Sequence, residues 1–316
     1  MKPLLFPPSL KKGDTIGIIA PAGQMRKNGA RFSKGVDILH EMGFEVKFPK
    51  ELWPGHDYLA DSDENRGREF NRMFCDDKIN GLISLRGGYG CLRMLDKIDI
   101  AAVISNPKVL VGFSDITILQ NYLYQRTGMV SLHGPVVTSL GDATPDALAS
   151  FFSCLTNTRR PDISSTQIVV LRDGPEAAAP LIGGNLASLV TLLGTRYDFS
   201  WDSKVVFLED INEPVYKIDR MLTQLKCAGK LDSIAGLILG DFSTSTNSDK
   251  RTKNRYRESV WNRVMELCAE QSMPIWANFP SGHCTSSLTF PLGAVTVMKS
   301  GKKQLVFKQT EDSARI

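Results

Sequence analysis

The chain has 316 residues, of which 42% are hydrophobic and 23% are charged, and its formal net charge is +4. These values are ordinary for a soluble globular protein, and the length allows a large core without metals or disulfides. The six cysteines form no CxxC pair, no apolar run approaches the ~18 residues of a membrane span, and the N-terminus lacks an apolar signal segment. We therefore expect a cytoplasmic protein with reduced thiols and no membrane partner.

The first half of the chain alternates between short apolar runs and amphipathic segments. We predict strands within 15–23, 44–49, 81–90 and 108–114, and helices over 28–43, 62–75, 91–98, 100–105 and 115–127. Strands that alternate with helices indicate an α/β fold, in which a parallel sheet carries helices on both faces.

The character of the chain changes between residues 155 and 180, where Pro, Gly, Ser, Thr and charged residues predominate. We predict a linker at 161–180, an N-terminal α/β domain over 1–160 and a smaller α+β domain over 181–316. The elements of the second domain are predicted strands at 204–208, 234–239, 294–298 and 303–307 and helices near 185–193, 215–227 and 258–271.

The densest basic stretch is "KRTKNRYR" at residues 250–257, directly after "DFSTSTNSD". We interpret it as part of a long solvated loop over 244–257, whose role the sequence leaves open. A nucleic acid or another anionic partner is the alternative, but there is no interleaved aromatic platform and no basic stripe elsewhere. No nucleic-acid partner is therefore expected.

Glycines follow the third predicted strand, in the stretch Arg86-Gly87-Gly88-Tyr89-Gly90. In a parallel α/β sheet, ligands bind beyond the carboxyl ends of the strands. Glycines there let the backbone approach a ligand and point N–H groups at an anion or oxyanion. A plain tight turn is the simpler interpretation. The stretch does not match the G-x-G-x-x-G dinucleotide fingerprint, and we expect no cofactor.

A serine stands between the fourth predicted strand and the helix that follows, in Gly112-Phe113-Ser114-Asp115. A serine on a sharp strand-to-helix turn is the nucleophile-elbow arrangement, and the amide of the next residue is then a candidate oxyanion donor. Ile116 replaces the second glycine of the usual elbow, so the match is partial. The alternative is that Ser114 caps the helix and Asp115 favours its first turn.

Acidic residues follow the strand "KVVF", in Leu208-Glu209-Asp210-Ile211-Asn212-Glu213. Three acids at a strand end suggest a metal site or a carboxylate that orients a base. The alternative is a charged loop that caps the next helix, which Glu213 before Pro214 fits well.

A serine nucleophile needs a base, and histidine is the usual one. Of the four histidines, His40 ends a predicted helix, His56 lies in a loop, and His133 precedes Gly134-Pro135 and could lie near the site. His283 lies in the glycine-flanked loop "PSGHCTSS" and follows the acids in sequence. The order serine, glutamate, histidine is one of the known triad orders, although a lone loop histidine is more often structural.

Several motifs occur together in a fixed order: "APAG", "SLRGGYG", "LVGFSDIT", "HGP", "LIGGNLASLVTLLGT", "FLEDINEPVYKIDRMLTQL", "GLILGDFS" and "SGH…TFPLGA". In this combination the chain resembles the LD-carboxypeptidases, serine peptidases of the S66 type, which include the microcin C self-immunity peptidases. The resemblance extends over residues 13–308. It implies a flavodoxin-like N-terminal domain, a smaller C-terminal domain, an active site between them, and a homodimer.

The resemblance also implies a catalytic triad of Ser114, Glu209 and His283, with Glu213 as the fallback for the acid. The implied oxyanion hole consists of backbone N–H groups at Asp115 and at Gly87 or Gly88. No metal is required. Arg86 is a candidate for the substrate carboxylate, or it holds the loop by a salt bridge. Asn185 in "GGNL" could donate to the substrate or to a loop.

The implied reaction is removal of the terminal D-alanine from a murein tetrapeptide, after an L-configured diamino acid centre, in cell-wall recycling. The muramoyltetrapeptide carboxypeptidases perform this reaction through an acyl-enzyme. Two alternatives stay open. One is the same triad acting on a peptidyl-nucleotide antibiotic, as in the microcin branch. The other is a non-catalytic α/β protein that binds a phosphate or carboxylate at the glycines and the Ser114 helix terminus.

Overall fold

The computed structural model describes residues 3–25, 29–49, 53–157, 161–244 and 249–308. The chain divides into two compact units. Unit 1 consists of residues 1–160 and 288–293, and unit 2 of residues 161–287 and 294–316.

Strands and helices alternate through most of the described chain. The strands are β1 Thr15–Ile19, β2 Glu45–Lys47, β3 Gly81–Ser84, β4 Val109–Gly112, β5 Ser131–His133, β6 Ile163–Ser164, β7 Val169–Arg172, β8 Ala177–Asn185, β9 Val205–Ile211, β10 Gly236–Ser243, β11 Ile275–Ala277, β12 Phe290–Leu292, β13 Val295–Lys299 and β14 Gln304–Phe307. The helices are α1 Gly29–Glu41, α2 Asp63–Cys75, α3 Cys91–Met94, α4 Ile100–Ser105, α5 Ile116–Thr127, α6 Val137–Leu140, α7 Pro145–Thr156, α8 Leu186–Val190, α9 Val215–Cys227 and α10 Lys250–Leu267. Short 3₁₀ turns lie at Leu95–Lys97 and Ser300–Lys302.

Unit 1 is built around a six-stranded sheet in the order β12-β5-β4-β3-β1-β2. The strands from β1 to β5 pair in parallel, in the flavodoxin-like order 2-1-3-4-5, and β12 adds an antiparallel edge. Strands β3 and β4 are buried along their whole length, as a sheet covered on both faces requires. The predicted flavodoxin-like α/β fold is confirmed.

Unit 2 contains an eight-stranded sheet in the order β6-β14-β13-β8-β9-β10-β11-β7. Its centre, from β8 to β11, is parallel, and both flanks are antiparallel. Strand β9 is buried on both sides as far as Asp210, so Glu209 and Asp210 lie in a covered part of the sheet, whereas Glu213 lies beyond the strand.

Two segments differ from their predicted roles. Residues 161–180, predicted as a linker, contribute β6, β7 and the start of β8 to the sheet of unit 2. Residues 288–293, predicted within the C-terminal domain, add β12 to unit 1. The mostly apolar composition of "TFPLGA" suits either sheet.

The basic stretch at 250–257 was predicted as a loop, but it forms the first two turns of α10. Asp249 caps this helix, since its Oδ1 accepts from the Thr252 amide at 2.9 Å. Tyr256, Val260 and Val264 form its buried stripe with a spacing of four residues. The preceding part of the predicted loop, at 245–248, lies outside the described residues. Among the described residues, no helix has the length and apolarity needed to cross a bilayer.

Candidate active site

The serine predicted as the nucleophile lies at the turn between β4 and α5. Ser114 is half-buried and has φ +64°, in the left-handed region that non-glycine residues seldom adopt. A Cβ at Gly112 would lie 2.7 Å from Cγ2 of Ile116, so the tight turn needs a glycine there. Asp115 occupies the N-cap position, and its side chain makes no capping hydrogen bond to α5. The interpretation of Ser114 as a helix cap is therefore wrong, and the Ser114 corner (residues 112–115) has the strained geometry of a nucleophile elbow.

The glycine loop (residues 86–90) follows β3 and lies beside the Ser114 corner. A Cβ added to Gly87 would lie 2.6 Å from Cβ and 2.7 Å from Oγ of Ser114. Gly88 has φ +122°, which L side chains rarely adopt. The fold thus brings the backbone of Gly87 against the serine side chain, and a side chain at Gly87 would displace it.

The carboxylate of Asp115 points into unit 1 and joins the glycine loop to the Ser114 corner. Its Oδ2 accepts from the Cys91 amide at 2.8 Å, and the side chain is buried. Burial raises the pKa of Asp115 above its ordinary value, and the amides of Cys91 and Gly90 and the charge of Arg66 oppose this rise.

Arg86 contacts backbone on a neighbouring loop. Its Nη1 donates to the Gln24 carbonyl at 3.1 Å. Gly23, next to Gln24, donates its amide to the Gly87 carbonyl at 3.2 Å. Arg86 therefore braces the glycine loop against the segment after β1 through this carbonyl. Among the described residues it forms no salt bridge of the kind suggested by the sequence, and its role toward a substrate carboxylate stays a prediction.

In unit 2, the predicted acid and base form a direct hydrogen bond. His283 Nδ1 lies 2.6 Å from Glu209 Oε2. The Glu209 side chain is 0% exposed and that of His283 is 16% exposed. A buried carboxylate on Nδ1 fixes the ring orientation and leaves Nε2 as the nitrogen for proton transfer, which is the arrangement of a serine hydrolase base.

Two glycines let the loop that carries His283 cross the ends of β9 and β10. A Cβ at Gly240 would lie 2.4 Å from the Ser281 carbonyl, and one at Gly282 would lie 3.2 Å from Glu209 Cβ. The loop is closed by Ser287, whose Oγ accepts from the Gly282 amide at 3.1 Å. The sequence "SGH" thus places the histidine over the strand that carries the acid.

The charge around His283 sets its protonation. Burial alone would lower the pKa of the imidazole, but the Glu209 carboxylate raises it both by its charge and by its hydrogen bond. Asp210 and Asp241 add to this rise, and the net pKa lies above the ordinary value for histidine.

Asp210 is a buried neighbour of this pair that sequence analysis did not single out. Burial, followed by the charge of Glu209, raises the pKa of Asp210 to about 7, against the opposing amides of Ala187 and Ile211 and the charge of His283. Those amides donate to its carboxylate at 2.8 and 2.7 Å. The only sequence signal of Asp210 was its position inside the acidic stretch "LEDINE". That stretch does not show that the Asp210 side chain is buried in the fold.

The remaining acidic and amide candidates have other partners. Glu213, the fallback acid, forms an ion pair with Lys217 at 3.2 Å. Asn185 begins α8, where its Oδ1 accepts from the amide and hydroxyl of Ser188 at 3.0 and 2.8 Å. The geometry therefore favours Glu209 over Glu213 as the partner of His283, and it gives Asn185 a capping function.

The other histidines have different surroundings. His40 lies in the last turn of α1, and exposed His56 lies 3.9 Å from the equally exposed Asp57. His133 ends β5 opposite Gly112 and is fully buried, with its ring stacked on Phe290 at 4.9 Å. Among the described residues, no group of three or more His, Cys, Asp and Glu side chains could hold a metal ion.

The predicted site residues lie in both units. Unit 1 has a hydroxyl on a strained turn beside glycine backbone, and unit 2 has an imidazole oriented by a buried carboxylate. Family models match both parts: the LD-carboxypeptidase N-terminal domain at residues 16–134 and the LD-carboxypeptidase C-terminal domain at residues 178–298.

Known proteins resemble the chain over almost its whole length. The probable murein peptide carboxypeptidase of Bacillus subtilis is 34% identical, over 96% of this chain and 94% of the relative. The microcin C7 self-immunity protein of Escherichia coli is 26% identical, over 96% of this chain and 95% of the relative. The crystal structure of muramoyltetrapeptide carboxypeptidase from Oxalobacter formigenes has a TM-score of 0.76 and 29% identity, over 93% of this chain and 97% of that chain.

Proposed function

Because the chain belongs to the LD-carboxypeptidase family, we propose that it removes the terminal D-alanine of murein tetrapeptides by serine catalysis. The cleaved amide joins D-alanine to an L-configured diamino acid centre. The observation that carries the proposal is the Ser114 corner, where a serine at φ +64° stands beside the backbone of Gly87. A strained turn of this kind is typical of nucleophiles and has no role in capping α5.

The reaction begins with proton transfer from Ser114 Oγ to neutral His283, which Glu209 holds in orientation. Ser114 Oγ then attacks the amide carbonyl carbon, and the backbone N–H groups of Asp115 and of Gly87 or Gly88 stabilise the oxyanion. Each such donor typically contributes about 3 kcal/mol to the transition state. His283 protonates the leaving amine, D-alanine departs, and water hydrolyses the acyl-enzyme with His283 again as the base.

The test is release of D-alanine from a purified murein tetrapeptide, measured for the wild type and for Ser114→Ala. We expect release by the wild type and a loss of about a thousandfold or more in the variant, because the nucleophile is absent. Circular dichroism of the variant checks that the fold is intact. Equal release by both proteins would exclude Ser114 as the nucleophile.

A peptidyl-nucleotide is the second candidate substrate, because the relative at 26% identity is a microcin C7 self-immunity protein. The same three residues would perform that hydrolysis. Assaying an aminoacyl sulfamoyl nucleoside beside the murein tetrapeptide separates the two substrates. Turnover of the nucleoside alone would replace the first proposal, and ligand binding without turnover of either would favour a binding protein.

The proposal includes a homodimer, as the resemblance to the family implies, and a cytoplasmic location, as expected from the sequence. Light scattering coupled to size-exclusion chromatography measures the mass of the particle against the 34.9 kDa of one chain. Fractionation of cells that express the untagged chain tests the location.

A further inference from the structure

Arg66 is a buried cation on the inner face of α2, and three of its contacts are backbone carbonyls on the loops that follow β1, follow β3 and precede α2. The side chain is 0% exposed. Its Nε donates to the Asp61 carbonyl at 3.2 Å, and its Nη1 donates to the carbonyls of Pro21 and of Gly90, the latter at 3.0 Å. Its Nη2 pairs with the carboxylate of Asp63. Arg66 thus connects the segment after β1, the end of the glycine loop and the segment before α2.

The peptide unit between Gly90 and Cys91 is held from both sides by opposite charges. Arg66 Nη1 donates to its carbonyl oxygen at 3.0 Å, and Asp115 Oδ2 accepts from its N–H at 2.8 Å. Both charged side chains are buried. Hydrogen bonds to charged groups are stronger than neutral ones, and burial sharpens their geometry. This peptide unit is therefore fixed relative to Asp115, which directly follows Ser114.

The glycine loop needs such a restraint because its own sequence gives it little rigidity. Gly88 and Gly90 have φ +122° and +132°, and glycine loses more conformational freedom on ordering than any other residue. A Cβ at Gly90 would lie 2.5 Å from Leu59 and 3.0 Å from Arg66 Nη1, so the loop packs closely on the guanidinium. The position of the Gly87 backbone beside Ser114 depends on where this loop is anchored.

Burying an arginine is costly unless every donor is used, and a hydrophobic residue of similar size often stabilises a core equally well. Arg66 donates to three loop carbonyls that no apolar side chain could bind. Its burial is therefore better explained by the loops it orders than by the core it fills.

We propose that Arg66 and Asp115 form a clamp on the Gly90–Cys91 peptide that holds the glycine loop against Ser114, so that Arg66 is a positioning residue for the acylation step. The proposal rests on the proposed function, because it assumes that Ser114 is the nucleophile. Arg66 itself touches no substrate atom. Its loss therefore lowers the rate at each active serine and leaves the number of active serines unchanged.

The test is the rate at which an alkyl fluorophosphonate labels Ser114, in the wild type and in Arg66→Lys. Labelling forms the Oγ–P bond, expels fluoride and passes the serine proton to the base, so it needs the nucleophile and the oxyanion donors but no murein substrate. Mass spectrometry gives the labelled residue and the final stoichiometry. We expect Arg66→Lys to label about tenfold or more slowly and to reach the same final stoichiometry.

Arg172→Lys is the matched control. Arg172 also binds two carbonyls, since its Nη1 donates to Cys268 at 2.8 Å and to Gln271 at 2.7 Å, but these belong to unit 2 beyond α10. This variant should melt at a lower temperature and label at the wild-type rate. The clamp would be overturned if Arg66→Lys were labelled at the wild-type rate. It would also be overturned if both variants were labelled more slowly in proportion to their loss of stability.

Two further variants test the same anchor of the glycine loop. If Arg66→Lys fails to fold, Gly90→Ala disturbs the same anchor from the loop side, and a wild-type labelling rate in that variant would overturn the clamp. A double variant of Arg66→Lys and Gly87→Ala should lose less labelling rate than the product of the two single losses, because both substitutions act on one loop.

A wild type that is never labelled at Ser114 would overturn the proposed nucleophile and the clamp together, whereas equal labelling of wild type and Arg66→Lys overturns the clamp alone.

Discussion

The two candidate catalytic regions are built by different physical means. The Ser114 corner in unit 1 is defined by backbone conformation: a positive φ at the serine, and glycines where any Cβ would collide. The pair of Glu209 and His283 in unit 2 is defined by charge, since a buried carboxylate holds an imidazole at 2.6 Å. The first region should therefore be sensitive to added volume and the second to pH and to loss of charge.

The largest expected effect is that of Glu209→Gln on catalysis. The variant lacks the charge that orients and stabilises protonated His283, so we expect kcat to fall about a thousandfold. With His283 as the proposed base, its raised pKa is expected to place the acid limb of kcat/KM at a higher pH than an ordinary histidine would. Without the Glu209 charge, only Asp210 and Asp241 oppose the lowering effect of burial on the pKa of His283, so we expect the limb to move to lower pH. A pH-rate profile of both proteins measures this shift.

Glu213→Gln is the control for that profile, since Glu213 pairs with Lys217. It should leave both kcat and the acid limb close to those of the wild type. A larger loss in Glu213→Gln than in Glu209→Gln would show that the acid is assigned wrongly and that the hydrogen bond to His283 is not catalytic.

The next effect in size is that of Gly87→Ala on the Ser114 corner. The new methyl group would lie 2.6 Å from Cβ of Ser114, so either the loop or the serine must move. We expect kcat to fall about a hundredfold, because displacements near 1 Å at a reacting group cost that much. Gly29→Ala is the control, since among the described residues no atom outside the adjoining backbone of α1 lies within 4 Å of its added Cβ. Equal activity of the two variants would contradict a sterically defined corner.

Asp210→Asn should change how stability depends on pH. The folded state raises the pKa of Asp210 to about 7 from 3.8, so it binds the proton more tightly than the unfolded chain does. Stability therefore falls as pH rises from about 4 to about 7, and Asn removes this loss. The melting temperature of the variant minus that of the wild type should rise by a few degrees between pH 4.5 and pH 8. A constant difference would show that Asp210 ionises normally.

The smallest effect concerns strain at the serine. Glycine adopts φ +64° without the Cβ penalty, so Ser114→Gly should be about 1 kcal/mol more stable than Ser114→Ala. Both variants are expected to be inactive, which separates stability from catalysis. Denaturant unfolding measures the difference, and equal stabilities would mean that the corner stores no strain.

The sequence was most informative where one local pattern settles the structure. "LVGFSD" predicts a strand, a tight glycine turn and a helix, and the structure has all three around Ser114. The bond between Glu209 and His283 could be proposed only through the resemblance to a family, because 74 residues separate them. The basic stretch at 250–257 was predicted as a loop because its many charged residues obscure the four-residue spacing of the buried stripe in α10.

Arg66 shows why other parts of the site could not be predicted. It lies four residues before Phe70, on the face of α2 that is otherwise apolar, and that position was the only sequence signal of its burial. A cation on an apolar stripe commonly extends its charged end to solvent. The carbonyls that receive its hydrogen bonds come from loops far apart in sequence, and periodicity says nothing about where loops meet.

The return of residues 288–293 to unit 1 has a consequence for synthesis of the chain. Strand β12 pairs with β5, and Phe290 stacks on His133, so the sheet of unit 1 lacks an edge strand until the last tenth of the chain has left the ribosome. During that time β5 presents an open edge, which is the kind of surface that invites pairing with another nascent chain. A fragment cut at residue 160 keeps that edge permanently. Unit 1 is therefore completed only after residues 161–287 of unit 2 have been synthesised, and its sheet stays open while most of the second sheet is made.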